Sequence, residues 1–509
     1  MKSRYNRIMV ATFGYDNGSR RTSRTLGDTP GTQTTWTYGR QDNLPTAINS
    51  DIAGASFTYT YDANKNKLTE GISAPMANYG FNSTSYDSAD RLTAWNRTDG
   101  NLDQAWDLSL VGDWATFTEN LVQQTRSHTA VHEIAAIDAK PIAHDAAGNL
   151  TRNAGDTLDR YTWDFDNRLL AADVDQDGTP DCLYRHDALG RRVSKTVPDG
   201  ESTATMVFVG TIQALAYSPH AMQVVAEYPA DAAPGSAERK FVYATYIDEP
   251  VMMLATNGAT TTPYYYHQNS LYSVAALTDV SAAVVERYAY SAYGEPIFLD
   301  AAATPLDPQA TLIGNPYLFT ARRFDQENGL YYYRARMYDA ELGRFVSRDP
   351  IGYEAGSMSL YEYVNASPLS RMDSSGKSGF GFRGESCHEC MIGPGGYNSC
   401  IWNQNLMYDA CLGGASLTAV LELVGCAALC NWANLGSPFA YAACVTACTT
   451  GLGGLSFILT VPHCNAAWND AESKCAVAYN RCTLKYRHCC RWTGRIWCGP
   501  KCENLRPTK

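Results

Sequence analysis

The chain has 509 residues, 45% apolar and 18% charged, which excludes wholesale disorder and a purely fibrous repeat and calls for at least two folding units. Its formal charge of −11 is unevenly spread: residues 377–509 carry 11 Lys or Arg against 7 Asp or Glu (+4), so the residues before them hold −15. The 33 Tyr, against 15 Phe and 10 Trp, favour strands with one face buried and one face wet.

The opening MKSRYNRIMVATFGYD is basic at first but has neither the apolar stretch nor the small-residue cleavage site of a secretion signal. From there to residue 200 one phrase recurs: an aromatic–x–Tyr or Trp–Asp step, a polar turn, then a basic–Leu pair. It stands as FTYTYDANKNKLTE at Asp62, TSYDSADRLTAW at Asp87, AHDAAGNLTRN at Asp145, YTWDFDNRLLAA at Asp164 and YRHDALGRRVSK at Asp187. Each copy alternates with period two, turns at Gly, Asn or Asp and alternates again, which predicts stacked antiparallel β-hairpins.

Two polar constellations interrupt the repeats. His128 and His132 are four apart and followed by Glu133, but the order is not His-Glu-x-x-His and no third ligand accompanies them, so the pair reads as structural. Asp173, Asp175, Asp177 and Asp181 occupy positions 1, 3, 5 and 9 of a calcium-type loop with Gly178 at position 6. Tyr184 stands at position 12 where such a loop has Glu, and the flanks read as strands. A solvated Asp-Gly hairpin tip is the favoured reading, with calcium as the cofactor alternative.

From Tyr264 the chain runs YYYHQNSLYSVAALTDVSAAVVERYAYSAYGEP and then NPYLFTARRFDQENGLYYYRARMYDAELGRFVSRDPIGYEAGSMSLYEYVNASPLSRMDSSG to Gly376. With the Tyr-Asp phrases before it, this resembles the Rhs and teneurin-like YD-shell family and its Rhs-repeat-associated core domain. The resemblance covers most of residues 1–376, only weakly before Tyr59, and implies a mainly β fold: antiparallel hairpins spiralling into a shell over residues 1–263, with a core-domain plug at 264–376. Complete shells in that family have more repeats, so the resemblance also implies that shell is missing at the N-terminal side.

The core ends in two Asp turns, Asp349-Pro350-Ile351-Gly352 and Asp373-Ser374-Ser375-Gly376. Two carboxylates in a partly buried place cannot both ionise cheaply and can divide base and acid duty on a water attacking a peptide bond. In the family that this chain resembles, paired Asp residues in such turns accompany self-cleavage just beyond the second turn. Carried over by position, the resemblance makes Asp349 and Asp373 an intramolecular aspartyl autoprotease, Arg348 their charge partner, and the bond after Gly376 the one cut. Ser374 stands where the family has Pro, and Lys377 where it has Leu; capping of their own turns is the structural alternative for both Asp residues. The two turns bracket LYEYV, residues 360–364, whose alternation predicts a strand returning toward its start.

A Gly/Ser-rich linker, 377–390, leads into a small cysteine-rich module at 391–509, expected to be α-helical. Fifteen of the 16 cysteines lie beyond residue 376, a density expected of a disulfide scaffold outside a reducing compartment. Cys387 and Cys390 form a single C-x-x-C, half a zinc site at most. Residues 411–461 hold one charge, Glu422, in two apolar stretches of helical length. Cys426 and Cys430 share a face of the first, Cys444 and Cys448 of the second, so a helical hairpin stapled by two bridges is expected, ahead of a membrane-inserting pair. Lys474–Lys509 is basic and interleaved with aromatics, which suits an anionic lipid surface or a nucleic acid and equally docking onto the acidic shell of its own chain; no nuclease constellation accompanies it, and nucleic acid is not the expected partner.

The function expected from these readings is a polymorphic-toxin carrier whose shell encloses or presents the C-terminal module, extracellular or at the cell surface, with an immunity protein or export machinery as partners. The alternative is a non-enzymatic surface or envelope protein presenting a stapled tail. A metabolic enzyme ranks last, because no cofactor loop or nucleophile–base pair is found.

Overall fold

In the computed structural model the described residues are 2–377, apart from 6–7, 28–31, 40–42, 199–201, 209–222, 230–231, 234–235 and 245–248, together with 380–381, 489–492 and 495–498. The chain divides into two compact units, Met1–Gly384 and Glu385–Lys509.

Among the described residues the first unit is built almost wholly of antiparallel strands joined in chain order. A 14-stranded sheet runs from Lys2–Tyr5 to Lys140–Pro141, and a 12-stranded sheet from Tyr161–Trp163 to Pro296–Leu299. Every neighbour in each sheet is also the neighbour in sequence, as expected when each hairpin folds locally and stacks on the one before. The second sheet continues without a break through Thr260–Gln268, so residues 263 and 264, where repeat gives way to core-domain resemblance, belong to one strand.

The Tyr-Asp phrase has a physical reason at each of its three positions. At Asp87, Oδ1 accepts the amides of Ala89 and Arg91 at 2.9 and 3.0 Å while Oδ2 accepts Arg91 Nε at 2.7 Å; Asp16, Asp164 and Asp187 repeat this with Arg20, Arg168 and Arg191. The third residue after the Asp takes a left-handed conformation, as at Asp90, Asn167 and Gly190, and the strand register slips beside the turn. This is the three-residue hairpin loop closed by a bulge.

The Tyr that ends the strand, followed by Asp at Tyr61 and Tyr86, reaches back. Tyr38, Tyr61, Tyr86, Tyr243 and Tyr290 donate their hydroxyls to the carbonyls of Arg21, Pro45, Lys67, Val224 and Val274, at 2.6–2.8 Å. Each acceptor opens the preceding strand, so every hydroxyl ties one hairpin to its predecessor. The Arg after the turn reaches forward, with Arg91 donating to the Ser109 carbonyl at 2.7 Å and Arg168 to the Asp187 carbonyl at 3.1 Å.

The inward faces of the two sheets meet. Val10, Phe13 and Leu26 pack with Val251, Met252 and Tyr265, and Phe57 and Tyr59 with Ala275. Residues 317–373 fill the remaining core: Tyr331, Tyr333, Tyr338, Phe345 and Tyr363 join Trp95, Trp106 and Trp114 of the first sheet and Tyr266 and Tyr288 of the second. Buried ion pairs cross these contacts, Arg21 to Glu249 and Arg192 to Asp325.

One expectation for the first unit is corrected here. LYEYV is no strand: Val364–Ala366 is a 3-10 turn with Val364, Asn365 and Ala366 at positive φ, and Tyr361 and Tyr363 are buried because the turn packs them into the aromatic core. His128 and His132 do not share a helix. His128 ends the strand Val122–His128, and His132 lies in the following turn with Nδ1 2.7 Å from Asp113 Oδ2. Cys182 is buried beside Tyr184 and Asn328, with no disulfide among the described residues.

In the second unit the described residues form one antiparallel hairpin, Cys489–Trp492 against Arg495–Cys498, which is β within the span expected to be helical. The stapled hairpin with Cys426, Cys430, Cys444 and Cys448, and the Cys387–Cys390 motif, lie outside the described residues. Among the described residues no helix is long and apolar enough to cross a membrane.

Candidate active site

The two Asp turns meet through a residue that the sequence did not single out. Arg336 Nη2 lies 2.9 Å from Asp349 Oδ2 and 3.5 Å from Asp373 Oδ2. All three side chains are buried, and the Arg336 guanidinium lies over the ring of Phe345. Such a site is stable only if charge is nearly balanced and hydrogen bonds complete the set.

Each turn aims its carboxylate with its own backbone. Asp349 Oδ1 accepts the Ile351 amide at 3.0 Å, and the Asp349 amide donates to the Leu360 carbonyl at 2.9 Å. Asp373 Oδ1 accepts the amides of Ser375 and Gly376 at 2.9 and 2.8 Å and the Ser375 hydroxyl at 3.2 Å. Burial pushes the Asp349 carboxyl up; Arg336 opposes that shift and Asp373 adds to it. Burial pulls Arg336 down to about 10, so it stays charged at neutral pH.

The peptide bond after Gly376 is held by the same groups. Arg336 Nε donates to the Gly376 carbonyl oxygen at 2.5 Å, and the Lys377 amide donates to Ser375 Oγ at 3.2 Å. Gly376 has φ +69°, and a Cβ there would come 2.3 Å from the Tyr333 carbonyl, so only glycine fits. The strand pair Arg371–Met372 with Phe380–Gly381 places this bond in a hairpin loop. A cavity of about 20 Å³ beside Asp349, also lined by Arg336, Ser357 and Leu360, has room for a single water.

Arg348 does not serve as the charge partner. Its Nη2 lies 2.5 Å from Glu133 Oε1 and its Nε 3.1 Å from the Tyr361 hydroxyl, so it pins the core segment to the first sheet. That role falls to Arg336, whose only signal in the sequence is a cation inside the aromatic run Tyr331–Tyr338.

Of the four loop carboxylates, those of Asp173, Asp175 and Asp177 converge within 4.8 Å of one another. Their oxygens also serve the loop itself: Asp173 accepts the Gln176 and Gly178 amides, and Asp181 accepts that of Val174. The same oxygens that converge thus also brace the loop.

No family model matches the chain. It is 28% identical over 253 residues to the tRNA3(Ser)-specific nuclease WapA of Bacillus spizizenii, covering 49% of this chain and 10% of that protein. It is 24% identical over 404 residues to the double-stranded DNA deaminase toxin A of Burkholderia cenocepacia, covering 74% of this chain and 26% of that protein. The chain is related to the Rhs/YD-repeat polymorphic toxins. A solved TcdB2-TccC3 structure aligns with the chain at 14% identity and a TM-score of 0.34, over 72% of the chain and 22% of that structure. The chain spans about a tenth to a quarter of the curated relatives named above.

Proposed function

We propose that the chain is an Rhs/YD-type carrier, extracellular or at the cell surface, whose hairpin repeats form a shell and whose core segment severs the chain after Gly376, freeing the C-terminal residues as an effector module. The observation that carries the reading is Arg336: one guanidinium touches both aspartates and the carbonyl oxygen of the bond to be cut.

The chemistry balances within the site. A water in the cavity beside Asp349 loses a proton to that carboxylate as its oxygen attacks the Gly376 carbonyl carbon. Arg336 stabilises the charge that grows on the carbonyl oxygen. The Ser375 hydroxyl passes a proton to the Lys377 nitrogen and takes one from Asp373, the carbon–nitrogen bond breaks, and the products are a carboxylic acid at Gly376 and an amine at Lys377, the acid proton then passing to the amine to leave a carboxylate and an ammonium. One proton is taken and one given, so the carboxyl pair ends with the single proton it began with. The raised Asp349 carboxyl makes it a stronger base than a solvated aspartate.

The test is the intact mass of purified chain during incubation. Wild type is expected to separate between Gly376 and Lys377, and Asp349→Asn to stay whole with an unchanged circular-dichroism spectrum. Wild type remaining whole after days would reduce both aspartates to turn caps.

A further inference from the structure

A second cavity, of about 460 Å³, opens between the hairpin Asp103–Leu108/Trp114–Glu119, the turn Ser291–Glu295 and residues 340–341. It shares no lining residue with the cavity beside Asp349, and its size suits a small ligand or one long side chain with its backbone. Trp106, Trp114 and Phe117 form aromatic walls, and Glu119, Glu295 and Glu341 supply three carboxylates.

Three observations define what fits. Glu295 and Glu341 form no ion pair among the described residues, and Glu119 meets only the neutral Gln104 amide, at 2.8 Å, so the cavity has net negative charge to offer. The walls already accept a guanidinium on one side, where Arg126 lies 4.4 Å from the Trp114 ring centre. Trp106, 5% exposed, keeps its indole N–H without an acceptor among the described residues. A buried donor left unsatisfied costs roughly 1–3 kcal/mol, so a ligand that brings an acceptor gains from it.

We infer that this cavity is a binding site for an arginine side chain of a peptide, with the guanidinium stacked on the aromatic walls between Glu295 and Glu341 and a peptide carbonyl accepting the Trp106 N–H. Arginine fits better than lysine because its planar cation stacks on rings and pairs with more than one carboxylate. The cavity should also sense pH. Although Glu295 is solvent-exposed, partial desolvation and the neighbouring Glu341, Glu119 and Asp339 carboxylates push its carboxyl up. A bound guanidinium favours the ionised form and releases a proton.

The experiment titrates the full-length chain with N-acetyl-arginine amide at pH 8, following tryptophan fluorescence and equilibrium dialysis. Saturable binding is expected, at least tenfold weaker for the neutral isostere N-acetyl-citrulline amide, at least tenfold weaker in Glu295→Gln, and several-fold weaker for wild type at pH 6. Glu341→Gln provides a second variant if Glu295→Gln alters the urea midpoint. Equal binding of the citrulline compound, or of both variants and wild type, would overturn the site; spermidine binding as tightly as the arginine compound would overturn its assignment to a peptide.

Discussion

Arg336 shows how much one side chain carries. Replacing it with Gln would strand two buried carboxylates, and removing one partner of a buried ionic set costs roughly 3–5 kcal/mol. Arg336→Lys keeps the charge but loses the fork that reaches Asp349, Asp373 and the Gly376 carbonyl together. Cleavage after Gly376 is therefore expected to slow by about 100-fold or more in Arg336→Lys, while its urea midpoint drops less than that of Arg336→Gln. Equal cleavage by wild type and the Lys variant would remove Arg336 from the chemistry.

Glu286 offers a test of buried charge away from that site. Its carboxyl is fully buried, takes donors from Thr311 Oγ1 and the Leu312 amide at 3.0 Å, and is pushed by burial up to about 7. The folded state thus binds a proton that the unfolded chain releases near pH 4.5. The stability tied to that proton is complete below about pH 4.5 and lost as pH rises through about 7, a change of roughly 3 kcal/mol. Glu286→Gln has no such group. Its urea stability relative to wild type should rise across that window, and a flat difference between pH 4.5 and 8 would contradict the assignment.

At the scale of the hairpin, the Tyr-Asp phrase is a clamp in both directions along the sheet. Tyr86→Phe deletes only the hydroxyl that holds the Lys67 carbonyl at 2.7 Å, and a loss of about 1 kcal/mol is expected. Asp87→Ala removes the acceptor for two turn amides and frees Arg91 from its partner, so about 2 kcal/mol is expected from the same two-bond reasoning. Denaturant midpoints rank the two. If Tyr86→Phe proved the more damaging, the turn rather than the tie between hairpins would be the dispensable part. The recurrent Arg or Asn after each turn follows from the same geometry, since only a long or amide side chain reaches both its own Asp and the next turn.

Across the first unit, the core segment is held to the second sheet by Arg192, which is 1% exposed and paired with Asp325. Cys182 lies beneath the same contact, hydrogen-bonded near Tyr184 and Asn328, its thiol pushed up to about 12 by burial. It should resist alkylation in the native chain and react only when the core segment lifts. Arg192→Met, which leaves Asp325 buried without its closest cation, is expected to speed labelling of Cys182 by at least tenfold at neutral pH, read by peptide mass. Unchanged labelling would mean that the Tyr332 and Met337 packing, rather than the ion pair, closes this contact.

The strands, their turns and their local order were legible in the residues, because a hairpin closes over a few positions: Asp62, Asp87 and Asp164 mark turns by chemistry that needs no distant partner. The Asp349 and Asp373 pair was legible by resemblance for the same local reason, each Asp lying in its own turn. Arg336 and the true place of Arg348 were not, since which cation enters a buried site depends on which side of the chain faces it after the sheets meet. LYEYV misled in the same way: alternate burial of Tyr361 and Tyr363 is produced equally by a strand and by a tight turn packed into an aromatic core. Local hydrogen bonding is written in neighbouring residues, whereas the pairing of buried charges and the walls of cavities come from contacts hundreds of residues apart, as between Glu133 and Arg348 or Trp106 and Tyr293, and only the tertiary structure decided them.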